Sequence, residues 1–279
     1  MADQNNLNDK PYSTRVYELD FIKGIGIIGV IIIHFLFFIY TFSDLNLKYL
    51  NFPGNSHIGN TIFNFSDFVV FENHFIDIIE DVVRGLFLLI IGITFNFSRN
   101  NKKRGIKMLL CAFFLSAFFL IFYSISKESL HLLTFGLLHA SSISILILDQ
   151  IHKKIENKYF YLVFGIIITI IGSYFVLKRN YITYSSLPLH EIIFGQIIGY
   201  IGCGADTFPI ILVLGVVSIG IFLGKQFYPN KKSLLNLEYK DNIINKIGRN
   251  SLYYYLFSYT GLGIIAMLSL VVFTLINNN

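Results

Sequence analysis

A histidine stands in the middle of the first long apolar run of the chain. Residues 25–42 contain one side chain that titrates near neutral pH, His34, and the charged residues Glu18, Asp20 and Lys23 precede the run. Polar groups in hydrocarbon are costly, so an ionisable residue within a membrane span is a candidate functional residue. Imidazole exchanges protons readily, which makes His34 a candidate general base in a dry cavity. A histidine that only hydrogen-bonds a neighbouring helix is the alternative.

The charged residues before this run have helical spacing. Asp20 and Lys23 are three positions apart, which places them on one helical face, and Glu18 is close enough to pair with Lys23. The pattern is typical either of an interfacial anchor or of a group that orients a ligand at the mouth of a cavity. Close helix packing or a groove for a ligand chain would each explain three nearby glycines. These glycines are Gly24, Gly26 and Gly29.

Further chemistry-bearing residues lie in or beside later apolar runs. His139 has three serines close behind it and is a candidate ligand for a hydroxyl or carbonyl, with a packing role as the alternative. Asp81 and Arg84 are three positions apart, and a self-contained ion pair would explain them equally well. Asp206 precedes a helix and either caps it or faces a cavity. Arg249 stands before the last run, where a phosphate group can dock.

The composition places the chain in a membrane. Of its 279 residues, 54% are hydrophobic and 14% charged, with a mean hydropathy of +0.62, whereas soluble domains carry about 25% charged residues. The net charge of +5 is too diffuse for a nucleic-acid-binding protein and is typical of membrane loops. Cys111 and Cys203 are far apart in apolar sequence, so neither a disulfide nor a metal site is expected.

The apolar runs predict an all-α, polytopic membrane helix bundle with about seven spans. The runs cover residues 21–42, 82–98, 106–125, 130–149, 159–177, 207–226 and 251–275. We expect a cytoplasmic N-terminal segment at 1–20 and a single integral-membrane domain at 21–276.

Loop charge predicts the orientation of the bundle. The basic segments 98–107, 152–158 and 224–249 belong in the cytoplasm by the positive-inside rule, and the acidic loop 43–83 belongs outside. All three basic segments fall inside only if residues 190–206 do not cross. This glycine-containing stretch is therefore predicted to form a re-entrant or half-membrane hairpin in a cavity wall. The protein is then a multi-pass protein of the cell membrane, with a cytoplasmic N-terminus and an outer C-terminus.

Five stretches resemble the heparan-alpha-glucosaminide N-acetyltransferase catalytic-domain-like family, within the transmembrane acyltransferase group. They are RVYELDFIKGIGIIGVIIIHF at 15–35, LFLLIIGITFNFSRN at 86–100, LTFGLLHASSISIL at 133–146, ADTFPIILVLGVVSIGIFLG at 205–224 and GRNSLYYYLFSYTGL at 248–262. The sequence departs from the family pattern in three places, one of which is Ile211-Leu212, where the usual Pro-Trp after Phe-Pro-Leu is replaced. Lys23 stands where arginine is usual, which removes a bidentate fork, and Ser-Tyr-Thr at 258–260 replaces His-Gln-Pro.

The resemblance implies transfer of an acyl group, usually acetyl, from cytoplasmic acyl-coenzyme A to an amino sugar or glycan at the outer face. It implies that His34 is the general base or acyl relay, with Asp20 and Lys23 orienting the inner mouth. Coenzyme A phosphates would be held by the basic residues Arg104, Lys107 and Arg249. The acceptor path would be lined by His139, Asp81, Arg84 and Asp206.

The expected partners are the lipid bilayer, a coenzyme A thioester, a carbohydrate acceptor and, for assembly, a second copy in a homodimer; nucleic acid is not expected. A transporter of a small molecule or a lipid-linked sugar, using the same histidine-lined cavity, is the alternative function. A structural family member without activity is a third.

Overall fold

The computed structural model describes residues 15–49, 74–126, 133–181, 188–202, 207–235 and 242–277. Within these ranges the chain forms nine α-helices, one short 3-10 helix and two very short strands. The helices are α1 (Tyr17–Tyr49), α2 (His74–Ile93), α3 (Asn101–Ser126), α4 (Leu137–His152), α5 (Lys158–Leu177), α6 (Leu189–Ile198), α7 (Ile210–Phe227), α8 (Ile243–Arg249) and α9 (Ser251–Asn277). The 3-10 helix is Thr94–Phe97, and the strands are β1 (Asn180–Tyr181) and β2 (Ile201–Gly202).

The helices confirm the all-α membrane class, and a helix lies at each of the seven predicted spans. Four helices in the described ranges are long and apolar enough to cross a membrane, and α4 is a shorter apolar helix. The four segments are Tyr17–Phe38, Asn101–Ile121, Lys158–Leu177 and Ile210–Phe227. The count of seven spans, the domain limits and the orientation of the termini stay predictions.

The start of α3 differs from the prediction in a way that matters for the site. The basic segment 98–107 was expected to be a loop, but α3 begins at Asn101 and includes most of it. The Asn100 Oδ1 atom accepts a hydrogen bond from the Lys103 backbone N–H at 2.8 Å, which stabilises the first turn. Lysine and arginine are good helix formers, so the capped segment extends the helix. The basic side chains therefore lie on a rigid helix.

Helix α7 lies at the centre of one half of the bundle, where it packs against α2, α4 and α5. Small residues allow these close contacts: a Cβ atom on Gly92 or Gly220 would overlap the facing backbone between α2 and α7. In the other half, α1 packs against α8 and α9, and α3 packs against α4.

The stretch predicted to be a re-entrant hairpin contains the ten-residue helix α6. At 1.5 Å per residue it is about 15 Å long, half of a hydrocarbon core of about 30 Å. It ends at Gly199, whose φ of 110° needs a glycine, and β2 then pairs in parallel with β1. The helix is thus too short to cross, and its depth in the membrane stays a prediction. Residues 203–206, with Asp206, lie outside the described ranges.

Helices α1 and α8 touch through their backbones. A Cβ atom on Gly24 would overlap the carbonyl oxygen of Ile244, and one on Gly248 would overlap the carbonyl oxygen of Asp20. Close packing therefore explains Gly24, whereas a Cβ on Gly29 would meet nothing within 4 Å.

We expect Gly24→Ala to destabilise the protein by about 1–3 kcal/mol, because the added methyl group forces α1 and α8 apart. Gly29→Ala is the matched control on the same helix and should melt at the wild-type temperature or slightly above. Thermal melting of the purified protein, followed by size-exclusion chromatography, checks both variants. Equal melting temperatures for the two variants would contradict the contact.

Candidate functional site

A cavity of about 470 Å³ lies inside the bundle, between α1, α2, α3, α4 and the α8–α9 junction. Its walls are largely apolar and include Ile27, Val30, Phe87, Met108 and Leu138. Six cationic side chains also line it, and no Asp or Glu is among its lining residues in the described ranges. The six are Lys23, Arg84, Lys103, Arg104, Lys107 and Arg249. An apolar cavity with this charge suits a ligand that is anionic at one end and apolar along its length.

The first turns of α3 supply half of the cations. The Arg104 guanidinium donates a hydrogen bond to Thr94 Oγ1 at 3.1 Å. No carboxylate in the described part of the chain lies within 4.0 Å of it. Lys107 Nζ donates to the Tyr253 hydroxyl at 2.7 Å. The positive end of a helix dipole adds to these charges, so this end of the cavity favours an anion.

Asp20 organises the charges at the start of α1. Its carboxylate lies 2.8 Å from Lys23 Nζ and 3.2 Å from an Arg15 guanidinium nitrogen, and 7% of its side chain is exposed. The predicted pairing of Asp20 with Lys23 on one helical face is present. Lys23 lines the cavity, whereas Asp20 does not line it and holds the Lys23 ammonium through the ion pair.

Glu18 has other partners than the Lys23 expected from the sequence. Its carboxylate accepts hydrogen bonds from Ser233 Oγ at 2.7 Å and the Leu234 backbone N–H at 2.8 Å. Burial, and then the neighbouring Glu18 charge, raise the pKa of Tyr228 to about 12, so this phenol stays protonated. Glu18 therefore ties the segment after α7 to the start of α1.

His34 lies one helical turn beyond the cavity-lining Val30, on the same side of α1. Its Nδ1 atom lies 2.8 Å from Ser258 Oγ, and Ser258 Oγ donates its single proton to the Tyr255 carbonyl oxygen at 2.8 Å. With the Ser258 proton engaged in this way, the two distances favour the tautomer in which Nδ1–H donates a hydrogen bond to Ser258 Oγ. This assignment leaves Nε2 with a lone pair that can accept a proton.

Two tyrosine rings hold the imidazole in place. The centroid of the Tyr259 ring lies 3.7 Å from that of His34, and the Tyr255 ring meets it edge-on at 6.0 Å. Tyr255 also lines the cavity, so it connects the cavity wall with the His34 environment. The packing limits rotation of the histidine, which is what a positioned base requires.

Arg84 and Asp81 form a compact charged group on α2. Arg84 Nη1 lies 3.0 Å from Asp81, Arg84 Nη2 contacts Glu80, and the guanidinium carbon lies 5.6 Å from the centre of the Phe208 ring. Arg84 lines the cavity and Asp81 does not. The ion pair predicted from the spacing is present, and it neutralises much of the charge that Arg84 brings.

Both imidazole nitrogens of His139 have hydrogen-bond partners in the protein. Nδ1 accepts the Gly136 backbone N–H at 3.3 Å, and Nε2 lies 3.4 Å from Ser116 Oγ. The residue is 4% exposed and does not line the cavity, although Leu138 and Ser141 of α4 do. These contacts match the packing alternative, because His139 closes the first turn of α4. Its role as an acceptor ligand stays a prediction.

The sequence analysis missed several residues that the fold brings to this region. They are Lys103, Ser141, Tyr255, Ser258 and Tyr259. Only the four-residue spacing of the two tyrosines pointed to a shared helical face. In the part of the chain that the structure describes, no three His, Cys, Asp or Glu side chains form a group that could hold a metal ion.

The described part of the chain folds into a bundle of helices, four of them long and apolar enough to cross a membrane, around a cavity with cationic and apolar walls. The sequence model of the family described as heparan-alpha-glucosaminide N-acetyltransferase, catalytic, matches residues 60–259, and the chain belongs to this family. The match confirms the resemblance, and the motif at residues 15–35 lies outside it. No curated protein and no solved structure matches the chain. The protein is thus an N-acetyltransferase-like membrane protein, while donor, acceptor, orientation and a homodimer stay predictions.

We expect Asp20→Asn to destabilise the protein by roughly 3 kcal/mol, because it leaves Lys23 without its buried partner. Arg15→Gln removes the more exposed ion pair and should cost less than about 1 kcal/mol. Thermal melting at low and high salt separates the two, since only the exposed pair is strongly screened. A larger loss for Arg15→Gln would contradict the central place of Asp20.

Proposed function

We propose that this protein is a membrane acetyltransferase that moves an acetyl group from acyl-coenzyme A to an amino sugar or glycan. In this proposal the donor enters from the cytoplasm and the acceptor from the outer face. The observation that carries it is the cavity lined by six cations and apolar walls, whose lining residue Tyr255 meets the His34 ring edge-on, in a chain of the acetyltransferase family. An uncharged lipid would not need so many cations.

The basic end of the cavity suits the donor's phosphates. We assign Arg104, Lys107 and Arg249 to this role, with Lys103 beside them. The Arg104 guanidinium is charged and lacks a carboxylate partner in the described chain, so a phosphate would supply the missing counter-charge. The apolar walls at Ile27 and Val30 would take the pantetheine arm and direct the thioester along α1.

His34 is proposed as the general base of the transfer. It lies eleven residues from Lys23, about 16 Å along the helix axis. Its Nε2 would accept a proton from the acceptor amine as the nitrogen attacks the thioester carbonyl carbon. The new carbon–nitrogen bond would form as the carbon–sulfur bond breaks, and the leaving thiolate would take the proton from His34 Nε2, which restores the base. Ser258 positions the base by accepting the Nδ1 proton.

The acceptor is proposed to bind near the charged group on α2. The carboxylates of Glu80 and Asp81 would recognise the amine or hydroxyls of a sugar, and Arg84 would hold an oxygen at the cavity wall. We further propose that Asp206 and His139 border this path. The orientation follows from the basic segments of the sequence, with the N-terminus in the cytoplasm and the C-terminus outside.

We expect Arg104→Gln to weaken coenzyme A binding about tenfold, because one charge-assisted hydrogen bond to a phosphate is lost. Arg99→Gln is the matched control, since Arg99 is exposed, precedes α3 and does not line the cavity. Isothermal titration of the protein in nanodiscs with coenzyme A measures both variants. Wild-type protein without coenzyme A affinity would overturn the donor assignment.

We expect His34→Ala to lower acetyl transfer by about 10²–10⁴-fold while coenzyme A still binds, since a positioned base contributes that much. Ser258→Ala should lose less, because the base remains but its tautomer is no longer held. The assay is labelled acetyl-coenzyme A with a panel of amino sugars in proteoliposomes. Wild-type flux of a sugar without thioester loss would favour the transporter, and full activity of His34→Ala would remove His34 from the mechanism.

A further inference from the structure

Ser141 of α4 is a polar residue with an unusual environment. It is 0% exposed to solvent and is one of the residues that line the cavity. Within the described chain, its Oγ atom has no hydrogen-bond partner. A buried hydroxyl without a partner costs stability, and native proteins rarely keep one without a reason.

Two nearby serines on the same helix differ from Ser141, one in its hydrogen bond and the other in its position relative to the cavity. Ser142 Oγ donates to the His139 carbonyl oxygen at 2.8 Å and is satisfied within the helix. Ser144 Oγ, like Ser141 Oγ, is buried and has no partner among the described residues, but Ser144 does not line the cavity. Of these three serines, only Ser141 combines a buried hydroxyl that has no partner in the described chain with a place on the cavity wall.

The packing of α3 on α4 gives the depth of Ser141 relative to the cations. A Cβ atom on Gly105 would lie 2.8 Å from a Leu146 methyl carbon and 3.3 Å from the Ser142 carbonyl oxygen, so Gly105 faces the turn of α4 between Ser142 and Leu146. Arg104 precedes Gly105 and Ser141 precedes Ser142, and both line the cavity. Ser141 is therefore within about two helical turns of Arg104, the residue proposed to hold a phosphate.

We propose that Ser141 Oγ hydrogen-bonds the first amide of the pantetheine arm of the acyl donor. The inference rests on the proposed function, because it assigns a part of the same ligand. In coenzyme A this amide follows the pyrophosphate by a few bonds, which is compatible with the separation of Arg104 and Ser141. An amide that enters apolar walls such as Met108 and Leu138 needs a partner, and Ser141 supplies one.

The test compares two probes on the full-length protein in nanodiscs by isothermal titration. One probe is coenzyme A, and the other is 3′-phospho-ADP, which is coenzyme A without its pantetheine arm. We expect Ser141→Ala to weaken coenzyme A binding about 5- to 10-fold and to leave 3′-phospho-ADP binding unchanged. Ser144→Ala is the matched control and should leave both affinities unchanged.

Each of the other possible outcomes of this experiment contradicts a particular part of the proposal. Unchanged coenzyme A affinity in Ser141→Ala would overturn the inference and assign Ser141 a packing role, with its hydroxyl rotating onto its own helix. Equal losses for both probes would overturn it as well, because the effect would then not depend on the pantetheine arm. A wild-type protein that binds neither probe would overturn the proposed function itself. Ser141→Thr, which keeps the hydroxyl, should retain more coenzyme A affinity than Ser141→Ala.

Discussion

The arrangement of this protein depends on positive charge gathered along the wall of one apolar cavity, where Lys23, Arg84, Arg104 and Arg249 are half-buried and Lys103 and Lys107 are exposed. Six cationic side chains line one cavity, and its lining in the described chain includes no carboxylate. Moving a charge from water into an apolar interior costs free energy, so the half-buried cations need polar partners that offset this cost. Lys23 forms an ion pair with Asp20, and Arg84 forms ion pairs with Glu80 and Asp81. Arg104 and Lys107 donate hydrogen bonds to the neutral hydroxyls of Thr94 and Tyr253. The remaining positive potential is what an anionic ligand would use.

The ends of several helices have to meet for this charge to accumulate in one place. Helix α3 brings three cations in its first two turns, α1 brings Lys23, and the α8–α9 junction brings Arg249. Glycine contacts between α1 and α8 let these backbones approach closely. Gly24, which makes the close approach, and Asp20, which makes the ion pairs, lie one helical turn apart on α1. The mouth of the cavity is therefore built by backbone packing as much as by side-chain charge.

The His34 environment connects the cavity with the departure from the family pattern at residues 258–260. Ser258 Oγ lies within hydrogen-bond distance of the imidazole, and the Tyr259 ring packs against it at an angle of 37°. In the fold, this stretch therefore contributes two residues that contact the candidate base.

The sequence alone determined the membrane class, the positions of the helices and the local ion pairs. Apolar runs and spacings of three or four residues are properties of a single helix, so Asp20 with Lys23 and Asp81 with Arg84 followed directly. It did not determine that α3 would begin early enough to carry Arg104, because that depends on the Asn100 cap.

Only the tertiary structure paired His34 with Ser258, 224 positions away, and left Ser141 rather than Ser142 on the cavity wall. Such contacts depend on the rotation and register of packed helices, which local periodicity does not encode.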